Sequence, residues 1–222
     1  MAPTNEQKHE ETYTAAEATV RGLDPVALAA RAGATWTAGS EPGTGEITLS
    51  SLGTTLTLTW PTLTFSAADP ALLSFPWRLI TLHYLATATG EPPGTDWVGY
   101  REIPGGLFYA DTIAREVERP LGARFGEDPD LLLAAAAPLG GEQVEVADVA
   151  VVFHPFPYVP VVVALWLADE DFPAQAKVLY ERRGVRSLPL QDLRLLADFL
   201  WSFLRRRAET GTPPSAAETQ HP

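Results

Sequence analysis

Two stretches in the C-terminal half constrain this chain more than any other: VADVAVVFH (146–154) and VPVVVALWLA (159–168). Both are apolar and β-branched at consecutive positions, so neither face of either run suits water. Both are short enough for strands and are predicted to be central ones. The next stretch, AQAKVLYE, alternates, with Ala176, Val178 and Tyr180 set against Gln175, Lys177 and Glu181. Residues 146–153, 160–168 and 175–181 are therefore predicted to form an antiparallel meander.

Elsewhere the period switches between that of strands and that of helices. TTLTLTW puts Leu56, Leu58 and Trp60 on one face and Thr55, Thr57 and Thr59 on the other, the pattern of a half-buried strand. EITLSSL before it and PTLTFS after it alternate more weakly, and Leu52-Gly53 suits a turn. A first helix is predicted at about 11–21. A second opens on Asp24 as cap and Pro25 at the first position, and Gly33 ends it. SFPWRLITLHYLATATG is apolar nearly all round and reads as a core helix ending near Gly90. WVGYREI is a short strand stopped by Pro104-Gly105-Gly106. DTIAREVERPLGARFG is an amphipathic helix strained by Pro120. EDPDLLLAAAAPLGG starts with Asp128 as cap. A last helix covers about 189–207, with Leu193, Leu196, Leu200 and Phe203 as its buried stripe. Helices and strands segregate rather than alternate, which predicts one α+β domain over 11–207 whose antiparallel sheet is covered by helices. Residues 1–10 and 208–222 are polar and aperiodic and are expected to be flexible ends.

Composition excludes several chemistries. The chain of 222 residues has no cysteine, so a disulfide, a thiolate zinc site and a cysteine nucleophile are unavailable to it. Its net charge of −12 opposes nucleic acid and anionic membrane surfaces and leaves a basic protein as a partner of suitable charge. No apolar run reaches the length of a membrane span, and the polar N-terminus lacks a signal-peptide core, so a cytoplasmic location is expected. No phosphate-binding Gly-Lys motif, dinucleotide fingerprint or nucleophile elbow occurs.

Asp169, Glu170 and Asp171 fall between two predicted strands. Acids there serve a solvated turn, in which Asp bonds nearby amides. The sharper reading is a hard-cation or acid–base site, since crowded carboxylates repel and one must rise in pKa. Neighbouring strand positions point to opposite faces, so the acids could converge only by curling round an ion. His83, in TLHYL, is placed in apolar surroundings beside Tyr84, either as a satisfied core residue or as a ligand or base. His154 sits directly before Pro155 at a strand end; either imidazole could be an axial ligand to a tetrapyrrole. YREIPGGLFYADT offers a binding loop with Arg101 and Tyr109 near its Gly pair, and Trp166 ends an apolar strand.

The run LHYLATATGEPPGTDWVGYREIPGGLFYADTIAREVERPLGARFG resembles the prokaryotic family catalogued as domain of unknown function 3786, as do FPYVPVVVALWLADEDFPAQAKVLYE and LPLQDLRLLADFL. The resemblance covers most of residues 14–205. It departs from the family pattern at Leu190 and Gln191, where a capping Thr and an acid are usual, and at Glu181, where an Asp is usual. The family carries no established activity and no catalytic residues. Relatives from anaerobes, some with an appended cysteine-rich iron–sulfur segment, imply a link to redox or corrinoid metabolism.

The leading expectation is a binding protein that holds a small molecule or cofactor of unknown identity. His83, Tyr84, Arg101, Tyr109, His154 and Trp166 would serve it, with Asp169–Asp171 at one rim. The alternatives are a metal-assisted or acid–base enzyme using Asp169, Glu170, Asp171 and His83, and an acidic interaction module for a basic partner.

Overall fold

The computed structural model describes residues 5–210, except the side chains of residues 5, 6 and 8. Helix α1 (Asn5–Arg21) begins inside the N-terminal stretch expected to be flexible. Residues 1–4 and 211–222, the outer parts of the two expected flexible ends, lie outside the described residues.

Helix α2 (Pro25–Arg31) starts where its cap dictates: the Asp24 carboxylate accepts from the amides of Val26 and Ala27. Such a cap is worth about 1 kcal/mol. Four strands follow in chain order as an antiparallel sheet: β1 (Thr35–Ala38), β2 (Gly45–Ser51), β3 (Thr54–Trp60) and β4 (Phe65–Ala67). The β2–β3 pair aligns Leu49 with Leu56 and Ile47 with Leu58, which puts the alternating apolar set on one buried face. Leu52 and Gly53 both take positive φ at the turn, at 45° and 73°. Such a turn matches the twist of the strands it joins. Gly53 is also where two segments touch, since a Cβ there would lie 2.6 Å from the Gly140 amide nitrogen.

Helix α3 (Phe75–Thr87) is the predicted core helix. It leads to β5 (Trp97–Gly99), then to α4 (Leu107–Ile113) and α5 (Arg119–Phe125). Between α4 and α5 the helix widens into a π turn over Ala114–Glu118, directly before Pro120. Proline has no amide to donate and its ring crowds the carbonyl four residues back, so the strain predicted from sequence is taken up by this wider turn. Helix α6 (Pro129–Ala136) opens on Asp128, whose carboxylate accepts from the Leu131 amide.

The second sheet is antiparallel and is built from β6 (Glu142–Gln143), β7 (Val149–Phe156), β8 (Val159–Trp166), β9 (Gln175–Glu181) and the distant β5, in the order β5-β9-β8-β7-β6. The predicted meander is its centre, and β8 is buried at every position from Val159 to Leu165. Helix α7 (Leu190–Thr210) closes the fold, with Leu193, Leu196, Leu200 and Phe203 buried as its stripe predicts. The result is a single α+β domain with antiparallel sheets, two of them.

The sheets meet at the bulged end of β7. The Leu52 amide donates to the His154 carbonyl at 2.9 Å, and the buried Ser51 hydroxyl donates to the Pro155 carbonyl at 2.8 Å. Phe156, just beyond, stacks on Tyr84 of α3 with ring centroids 4.6 Å apart, and Trp77 lies 5.7 Å from the same ring. Trp77 also meets Phe199 and Phe203 of α7. Helix α3 is thus held between the sheet and α7, and its remaining faces decide where a site can form.

Candidate functional site

Successive residues of a helix point roughly 100° apart. Tyr84 faces the sheet, where its hydroxyl donates to the Ala32 carbonyl at 2.7 Å and accepts from the Tyr158 amide at 3.2 Å. Burial pushes its phenol far above the usual range. His83 therefore turns away from the sheet, toward the start of α7. There its Nδ1 lies 2.6 Å from Oδ2 of Asp192.

Asp192 sits in the first turn of α7, where the helix dipole favours a carboxylate. It lies four residues before Leu196 and eight before Leu200, on the same buried stripe. Its side chain is only 3% exposed, against 21% for His83. The junction is tied further by the Thr87 hydroxyl, which donates to the His83 carbonyl at 2.7 Å and to the Ser187 carbonyl at 2.9 Å. A carboxylate on Nδ1 fixes the imidazole's orientation and, in the neutral ring, leaves Nε2 as the acceptor.

His83 lines a cavity of about 420 Å³ between α1 and α3. Helix α1 contributes Thr12, Ala15, Ala16 and Thr19; α3 contributes Leu82, Ala86 and Thr87; Pro189 adds to the wall. Among the described residues, His83 is the only titratable side chain in this lining. No described residue bonds its Nε2.

The other expected site residues are not gathered here. Arg101 makes an exposed ion pair with Asp111 at 2.7 Å. Tyr109 is exposed, with the Arg194 guanidinium 5.9 Å from its ring centre. Arg194 also reaches Asp198 at 3.3 Å, whose carboxyl is raised chiefly by burial, against the lowering effect of Arg194. His154 is half-buried on β7 at the contact between the sheets. Trp166 is exposed at the end of β8. Asp169 sits in an exposed turn: its Oδ1 accepts from the amides of Asp171 at 2.9 Å and Phe172 at 2.7 Å. Glu170 and Asp171 are exposed. Among the described residues, no group of three or more His, Asp or Glu is placed to hold a metal ion.

The loop bearing these acids borders a second, larger groove of about 660 Å³ between α5 and β9. Ala168, Pro173 and Ala174 line it, and the three acids do not. Across it the π turn carries Glu118 to the sheet, where Oε1 accepts from the Val178 amide at 3.2 Å and Oε2 from Lys177 at 2.7 Å.

Sequence reasoning missed Asp192. Its signal was present: an acid in register with the apolar stripe of α7 must be buried, and a buried carboxylate needs a partner. Nothing local points to His83, 109 residues away.

No described helix is long and apolar enough to cross a membrane. None of the curated proteins and none of the solved structures matches the chain. The family model described as domain of unknown function (DUF3786) matches residues 24–202, most of the fold from the cap of α2 into α7, and the chain belongs to that family.

Proposed function

We propose that this protein binds a small molecule against His83, in the cavity between α1 and α3. The observation that carries the reading is the 2.6 Å contact between His83 Nδ1 and a nearly buried Asp192, on the wall of a cavity of about 420 Å³. Ligand sites are concave, mostly apolar and furnished with a few fixed polar groups, and volumes above roughly 300 Å³ are typical of them. Native mass spectrometry of gently purified protein tests the reading. A bound mass present in the wild type and lost in His83→Ala is expected; retention of that mass by the variant contradicts it.

The same pair favours a second reading, acid–base catalysis, because a carboxylate behind an imidazole is how a general base is oriented. Its metal-assisted form draws on Asp169, Glu170 and Asp171, and calorimetric titration with divalent cations tests that form. The redox or corrinoid link rests on resemblance alone. A thiolate-held cluster does not fit a chain without cysteine. His83 Nε2 would be the atom to hold the metal of such a group, since metal-binding imidazoles commonly donate their other ring N–H to a carboxylate. The interaction-module reading rests on the net charge of −12 and predicts capture of basic proteins that weakens with salt.

A further inference from the structure

From the chemistry of the cavity lining we infer that the His83 site takes a small primary ammonium with a short apolar tail, an inference that rests on the binding reading above. Among the described residues, the lining contains no Lys, Arg, Asp or Glu. Two of its hydroxyls, those of Thr19 and Thr87, offer little to an anion. The Thr19 hydroxyl donates to the Ala15 carbonyl at 2.9 Å, and the Thr87 hydroxyl donates to backbone carbonyls as described. With their hydrogens engaged, these side chains present oxygen lone pairs and methyl groups. His83, donating through Nδ1, presents Nε2 as an acceptor when neutral. A ligand must then bring the hydrogen-bond donors.

Charge points the same way. Asp192 is a nearly buried carboxylate, and among the described residues its only hydrogen-bond partner is an imidazole. A buried charge is costly unless it is matched. A cation bonded to Nε2 matches it through the ring, giving carboxylate, imidazole and ammonium in line. The overall charge of −12 raises the local concentration of cations. The remaining walls, from Ala15, Ala16, Leu82, Ala86 and Pro189, suit a short aliphatic chain.

Helix α1 sets the size of the site. It supplies four of the lining residues, yet it precedes the region matched by the family model, which begins at residue 24. Where it crosses His83 its residues are small, alanine and threonine. Val20 and Ala16 are buried beneath it, and Tyr13 packs on Phe75 and under the Arg78 guanidinium. These contacts anchor the helix beside the cavity without filling it.

The test uses the full chain and three probes of equal length: n-propylammonium, n-propanol and propionate. Each is titrated at a pH where the ring nitrogen signals show the neutral imidazole. Methyl and imidazole NMR signals are followed. The expected result is that n-propylammonium moves the His83 Nε2 signal and the Ala15, Ala16 and Ala86 methyls, and binds at least about tenfold more tightly than propionate, a difference of about 1.4 kcal/mol. Ala15→Leu should weaken it by a similar factor. Should that variant fold poorly, intermolecular NOEs from the probe to Ala15 and Ala86 in the wild type replace it. Propionate binding as well as propylammonium at the same methyls overturns the ammonium assignment and leaves a ligand site at His83. Tighter n-propanol binding there does likewise. No shift with any probe at concentrations up to about a hundred millimolar, where even a weak fragment would bind, overturns the ligand class. The binding reading itself then falls or stands on the native mass measurement.

Discussion

The Tyr84 ring lies on Phe156 with planes 13° apart, and its hydroxyl bridges the Ala32 carbonyl and the Tyr158 amide. One side chain thus links α3, the end of α2 and the β7–β8 turn. It also fixes the rotation of α3 and so the direction in which His83 leaves the helix.

Tyr84→Phe keeps the stacking and removes both hydrogen bonds, leaving a buried amide and carbonyl short of a partner. A loss of about 1–2 kcal/mol in urea unfolding is expected. Because α3 can then rotate slightly, the His83 imidazole signals should shift in the folded variant as well.

Burial pushes the Tyr100 phenol up to about 12, and Tyr84 and Tyr180 are displaced in the same direction. The unfolded phenol ionises near about 10. Between these values the unfolded chain has released a proton that the folded chain retains, so stability falls as pH rises. Below about 10 the contribution is fully present. Melting temperature measured from about pH 9 to 12 should decline through this window, and Tyr100→Phe should make the decline shallower.

Glu118 and Lys177 are unequal partners. The carboxylate is largely buried and also accepts from the Val178 amide, whereas the Lys177 side chain is 48% exposed. Glu118→Ala should cost about 2 kcal/mol, because a strand amide and a cation lose their acceptor together. Lys177→Ala should cost under about 1 kcal/mol, as for an exposed pair. Equal losses in chemical denaturation would show that the ion pair, rather than the strand contact, holds the π turn to β9.

Asp169 acts as a turn residue through one oxygen. Asparagine supplies the same acceptor, so Asp169→Asn should leave stability within about 0.5 kcal/mol, whereas Asp169→Ala should lose about 1 kcal/mol. A large loss in the Asn variant, or its rescue by a divalent cation in the wild type alone, would restore the metal reading of this loop.

The strands legible in the sequence were those whose apolar pattern is set by burial: TTLTLTW, and the doubly apolar runs that became β7 and β8. The caps at Asp24 and Asp128 were legible for the same local reason, an acid directly before Pro at a helix start. β1 and β6 were not. Only Trp36 of TWTA carries a large apolar side chain, and β6 spans Glu142–Gln143, so pairing rather than pattern makes them strands. That strands 35–67 form a sheet of their own was also hidden, because alternation gives the buried face and not the neighbour. The site divides in the same way. His83 was visible as an imidazole in an apolar helix, but its partner arrives from a helix 109 residues later. Arg101 and Tyr109 flank a Gly pair and His154 and Trp166 lie at strand ends, local settings that say nothing of distant neighbours, and tertiary packing places none of them in the wall of the His83 cavity.

The central claim is that Asp192 holds His83 so that Nε2 faces a ligand cavity. Long-range proton–nitrogen correlation of the His83 ring tests it most directly. The expected spectrum of the neutral ring shows a proton on Nδ1 and none on Nε2, with the Nε2 resonance moving when n-propylammonium is added. A ring protonated on Nε2 alone, or an Nε2 resonance indifferent to every ligand that the protein binds, would contradict it.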